Sequence, residues 1–136
     1  MFFALKWPVP SFYFIFNDFY SNSGATDVSL PSIVTGVGPF ESNKKLHQMP
    51  LLWDWAKASG MKTIYVTSQR YTWQSLQEFM LIPGPDFWKT ALEIPSPIIN
   101  DLGIDDLVAS KVLSDEIIQS NPEKPLFVIS NNPFNN

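Results

Sequence analysis

Residues Tyr20 to Gly36, YSNSGATDVSLPSIVTG, decide how the chain is read: small residues at 21–25 make a tight turn, and a helix opens directly after it. Upstream, Phe12 to Phe16 is aromatic and apolar, as an extended segment requires. The expected order is strand, turn, helix. Thr26 or Asp27 can cap that helix, since each has a side-chain oxygen to accept from the unpaired amides of the first turn. Pro31 is expected near the helix start, where a missing N–H costs least, and Gly36 is the expected stop. A hydroxyl at this junction lies beside free amides and the positive end of the helix dipole, where a phosphate or sulfate group would be held. Thr26 therefore has two readings, helix cap and nucleophile, and the local sequence leaves both open.

Downstream, GVGPFESNKK (36–45) reads as a surface loop. His47 is the single histidine and, without a carboxylate pair near it in sequence, reads as structural or surface. LLWDWAKAS (51–59) is an apolar helix ended by Gly60, and KTIYVTS (62–68) is β-branched and aromatic, a buried parallel strand. Ligands gather beyond the carboxyl ends of strands in open parallel sheets, which places Thr67, Ser68, Gln69 and Arg70 at such an end. Arg70 could hold a phosphate through its planar fork, or face solvent at a helix start.

Tyr71 to Ile82 carries Trp73, Leu76, Phe79 and Met80 at helical spacing, a core-facing stripe. PGPDFWKTALEIPSP (83–97) is expected to be an ordered surface excursion without regular structure, with Phe87 and Trp88 able to line a groove. Asn100 to Gly103 turns the chain. Asp105 or Asp106 then caps a helix whose single apolar face is Leu107, Val108, Val112, Leu113, Ile117 and Ile118. Asp101, Asp105 and Asp106 lack the positions of a calcium loop and read as helix-start acids. LFVIS (126–130) is a further buried strand. Strands near Tyr13 to Asn17, Thr63 to Thr67 and Leu126 to Ser130, separated by helices, predict an α/β fold: a parallel sheet with helices on both faces.

Composition narrows the function classes. The chain has 136 residues, 45% of them hydrophobic, which suffices for one domain with a sizeable core. A net charge of −4 with no basic run longer than Lys44–Lys45 argues against nucleic acid as a partner. Without cysteine there is neither a disulfide frame nor a thiolate metal site. The apolar N-terminal stretch is interrupted by Lys6, Pro8 and Pro10 and falls short of the ~20 residues that span a bilayer, so no transmembrane segment is expected.

The segment 20–36 resembles the nucleophile segment of the alkaline phosphatase and sulfatase superfamily, most closely its phosphoethanolamine transferase and lipoteichoic acid synthase-like branch. That branch places a Thr after a Gly-containing turn. Sulfatases open the same helix with Cys or Ser, then x-Pro-x-Arg, and finish it with a Thr-Gly pair that matches Thr35 and Gly36. Counting back from that pair places Thr26 at the nucleophile, Val28 at the Pro and Leu30 at the Arg, so the signal for formylglycine formation is absent. After the strand at 62–68, Ser68 and Arg70 stand at the Lys and His positions of a sulfatase Gly-Lys-x-His anion-binding motif. Lys124 and Pro125 match a pair that often introduces a later strand.

The resemblance spans about Phe16 to Asn132. It implies Thr26 as nucleophile and metal ligand, Arg70 as substrate-binding group, and zinc or manganese in the complete enzyme. The superfamily's other metal ligands fall before and after the positions present, so the chain by itself is expected to bind no metal and to be inactive. It is thus expected to be a partial sulfatase-like domain over 1–136, truncated at both ends. The complete enzyme would move a phospho-group from a phospholipid or phosphate ester onto Thr26 and then to an acceptor. Complete relatives would be membrane-anchored, with an extracytoplasmic catalytic domain. Two other functions compete: a non-catalytic α/β binding domain, and a sulfatase or phosphodiesterase-type hydrolase of the same superfamily.

Overall fold

The computed structural model describes residues 23–73 and 75–132; the strand expected over Tyr13 to Asn17 and the first residues of the turn at 20–22 lie outside them. The described elements are α1 (Thr26–Thr35), α2 (Asn43–Gln48), α3 (Leu52–Ala58), β1 (Lys62–Thr67), α4 (Leu76–Leu81), β2 (Phe87–Lys89), α5 (Asp106–Gln119) and β3 (Leu126–Asn131). The strands form a parallel sheet in the order β2-β1-β3. Ile64 of β1 stands opposite Phe87 on one side and Val128 on the other, so β1 is central and buried along almost its whole length.

Alternation along the strands sorts the core into two layers. Tyr65 and Ile129 meet Leu30 and Val34 of α1, Trp53 of α3, and Leu76, Met80 and Leu81 of α4. Ile64, Val66 and Val128 point the other way, toward Ala109 of α5 and toward Ala91, Ile94 and Ile104. The chain is therefore an α/β fold with helices on both faces of a parallel sheet, as expected. Each fully buried large side chain contributes roughly 1.5–3 kcal/mol by leaving water.

Local chemistry sets the element ends. Ser42 Oγ accepts from Lys45 N at the start of α2, and Asp105 accepts from Leu107 N at the start of α5. The Asp54 carboxylate accepts the Leu51 N–H in front of α3, and Gly60 follows that helix at φ 78°, a backbone region open to glycine. Before β2, Asp86 accepts from both the N–H and the hydroxyl of Thr63, at 2.8 and 2.9 Å, which pins β2 to the start of β1.

Four expectations need correction. Ala25, not Thr26 or Asp27, occupies the cap of α1, and no side chain caps it. Pro31 lies in the middle of α1 rather than its first turn, buried against the core. Beyond it, Thr35 Oγ1 donates to the Pro31 carbonyl at 2.7 Å and accepts from Val37 N at 3.1 Å, and Gly36 closes the helix at φ 72°. The 83–97 stretch holds a regular element after all, since β2 pairs along the central strand between its prolines. Leu107 and Ile118 of α5 face solvent, at 77% and 79% exposure, because the helix seats on the sheet through Ala109, with Val108, Val112, Leu113 and Ile117 packed around it. In addition, α2 begins within the stretch read as loop and runs on to Gln48, and α4 begins only at Leu76.

Candidate functional site

Two regions carry the residues singled out from sequence, and a third is visible only in three dimensions. At the start of α1, Ala25 O accepts from Val28 N and Ser29 N, and Ala25 N donates to Ser23 Oγ at 3.0 Å. Thr26 is the first helical residue and half-buried. Because the cap is Ala25, the Thr26 hydroxyl is not used to end the helix, and it has no hydrogen-bond partner among the described residues. It lies where the amides and the dipole of α1 favour an anion.

At the carboxyl end of β1 the polar groups are tied into a network. Thr67 Oγ1 donates to Asn131 O, and Gln69 N donates to Thr67 Oγ1 at 3.1 Å. Asn131 Nδ2 reaches Gln69 Oε1 at 3.2 Å and Tyr71 Oη at 3.0 Å, and Tyr71 Oη meets Tyr65 Oη at 2.6 Å. Burial, reinforced by the neighbouring Tyr71, pushes the Tyr65 phenol well above its ordinary value. Burial also raises Tyr71, although its hydrogen bonds to Tyr65, Asn131 and Thr67 pull the other way. Ser68 donates its hydroxyl to Asp106 at the start of α5, and its N–H to Asn132 Oδ1 at 3.1 Å.

Arg70 leaves this network on a second support. The segment 102–104 runs antiparallel to 68–70: Arg70 N donates to Leu102 O at 2.8 Å and Ile104 N to Ser68 O at 3.0 Å, with Gln69 bridged to Gly103. Asn100 Oδ1 shapes that segment by accepting from Leu102 N and Gly103 N. Gly103 is required because a Cβ there would collide with the Ser68 carbonyl oxygen. Arg70 is half-buried, its Nε–H is buried without a hydrogen-bond partner, and the side chain forms no ion pair among the described residues. A turn at Asn100 to Gly103 was legible in sequence, but its pairing with the end of β1 was not.

Helix α1 and strand β1 share one core layer, yet no hydrogen bond or ion pair joins Thr26 to Arg70. Nor do the residues present fit a resident metal ion: among the described residues no three His, Cys, Asp or Glu side chains stand close enough to hold one. The Thr26 hydroxyl is then a single donor where zinc or manganese needs about four or more. Asp105 and Asp106 act as helix-start acids, as read from sequence.

The third region is a cleft of about 720 Å³ bounded by α1, α2, α3 and α4. Asp27, Asp54, Glu78 and His47 line it beside apolar side chains, and the His47 ring stands edge-on to Phe79 with centroids 5.1 Å apart. Neither Thr26 nor Arg70 lines it. Its carboxylates come from three separate helices, so no spacing in the sequence announces it.

Compared with known proteins, the chain matches the family model described as Sulfatase over residues 11–130. No curated protein and no solved structure matches it.

Proposed function

Because this chain belongs to the Sulfatase family, we propose that it is part of a sulfatase-superfamily enzyme that transfers a phospho-group, with Thr26 as nucleophile and Arg70 as a binding group for the substrate anion. The observation that carries this reading is the Thr26 hydroxyl itself, left unspent at the positive end of α1 by a cap that belongs to Ala25. The orphaned Nε–H of Arg70 supports the second assignment, since a buried donor without a partner costs free energy that an anionic oxygen would offset.

Val28 and Leu30, standing where a formylglycine sulfatase has Pro and Arg, favour the phosphoethanolamine transferase and lipoteichoic acid synthase-like branch. The donor is then a phospholipid or another phosphate ester, and membrane attachment rests on that branch alone. No helix among the described residues is long and apolar enough to cross a membrane. Thr26 Oγ1 would attack the donor phosphorus and give up its proton as the phosphorus–oxygen bond to the donor's alcohol breaks and that alcohol leaves protonated. In the second step an acceptor hydroxyl would attack the same phosphorus, the bond to Thr26 Oγ1 would break, and the threonine hydroxyl would be restored with the acceptor's proton. On this reading residues 1–136 would supply one part of the catalytic domain, the family's metal would be held largely by other segments, and the chain alone is expected to be inactive.

Calorimetry with zinc and manganese, on the chain and on Thr26→Ala, tests the partial site. The expected result is no binding that depends on Thr26; tight binding lost on substitution would mean that this chain builds a metal site of its own. The nucleophile is tested in the longer enzyme exposed to a phosphate-ester donor. A Thr26 peptide heavier by one phosphoryl group is expected, and turnover unchanged by Thr26→Ala would instead support a non-catalytic domain.

A further inference from the structure

The cleft between α1 and α4 has a composition that Thr26 chemistry does not use. Its volume of about 720 Å³ lies within the usual range of small-molecule sites. The walls carry Asp27, Asp54 and Glu78, with His47 edge-on to Phe79 and no Lys or Arg, while Leu46, Met49 and Phe79 supply apolar surface. Asp54 uses one oxygen on the Leu51 N–H. Asp27 and Glu78 have no ion pair or side-chain hydrogen bond among the described residues, although the chain pairs Glu41, Asp86 and Glu116 with lysines elsewhere.

The carboxylates are spread over three helices and do not converge, so they do not form a metal site. What complements separated negative charges around an apolar, aromatic floor is a diffuse organic cation. An ammonium group with an alkyl body can meet two carboxylates in turn, lie against the Phe79 ring and bury its tail against Leu46 and Met49.

We propose that this cleft binds a small alkylammonium ligand. The site is independent of the Thr26 assignment, and nothing in the test below involves Thr26 or Arg70.

The test is a titration of the full chain, followed by amide chemical shifts, with three probes that share one tail: hexyltrimethylammonium, hexyl sulfate and hexanol. The cation is expected to bind about tenfold more tightly than either companion, with shifts centred on Leu46, Glu78 and Phe79. Asp27→Asn combined with Glu78→Gln should bring the cation down to the level of hexanol. Asp101→Asn with Asp115→Asn, which removes the same charge at exposed positions away from the cleft, should leave it unchanged. Equal binding of the three probes overturns the proposal without any variant. Equal loss in the two double variants also overturns it, because the effect would then be net charge alone.

Discussion

Tyr71 links the core to the polar end of the sheet. Its hydroxyl joins Tyr65 to Asn131, so Tyr71→Phe leaves the buried Tyr65 hydroxyl without its partner and the half-buried Asn131 amide with only Gln69, whereas Tyr65→Phe leaves Tyr71 still bonded to Asn131. Tyr71→Phe is expected to cost about 1–3 kcal/mol and Tyr65→Phe less, in paired urea melts. Burial raises both phenols, so their stabilising contribution is fully present below the ordinary tyrosine value and is lost as pH rises through the raised folded values. In an absorbance titration, two of the four tyrosines should therefore ionise only together with loss of far-UV circular dichroism. Asp86 works in the opposite direction. Burial pushes its carboxyl up, but the Thr63 N–H and hydroxyl, with Lys57 and Lys124, together outweigh burial and hold it below its ordinary value. Its contribution is present above the ordinary aspartate range and lost as pH falls through the lower folded value. Asp86→Asn should thus lower stability at neutral pH and flatten the acid limb of the stability curve; an unchanged acid limb would count against the Thr63 clamp.

Among the elements, the end of β1 is set by a segment that is neither helix nor strand. The stretch 99–104 holds Ser68 to Arg70 through main-chain bonds that need Gly103 to lie flat against the Ser68 carbonyl. Gly103→Ala must push the two segments apart, with an expected loss of about 1–3 kcal/mol or more and shifted amide resonances from Ser68 to Arg70. Unshifted resonances there would mean that the end of β1 is held by Asn131 and Asn132 alone. Helix α1 illustrates how an element can be right and its details wrong. Its existence and its Gly36 stop followed from residue type, whereas its cap moved to Ala25 because the backbone there is extended and already accepts the first helical bonds. The strand β2 was hidden by its flanking prolines, since an edge strand tolerates them and needs only three residues of pairing against β1.

For the whole molecule, β2 and β3 are both edges among the described residues, and Phe40, Leu107 and Ile118 lie more than three-quarters exposed. The isolated chain is expected to self-associate as its concentration rises, which light scattering after size exclusion would show; a monomer that melts in one sharp transition would contradict this. The sequence by itself determined the α/β class, the central strand over Lys62 to Thr67, the long helix begun by Asp105 and the family, because short-range pattern and capping chemistry act within a few residues. It also singled out Thr26 and Arg70, since a hydroxyl after a small-residue turn and an arginine after a buried strand are visible in one dimension. Only the tertiary structure decided that Thr26 is not a cap, that Tyr65, Tyr71 and Asn131 form one network, and that Asp27, Asp54 and Glu78 share a cleft. Those facts depend on which residues of separate elements meet when the two faces of β1 are covered, and no local spacing encodes that.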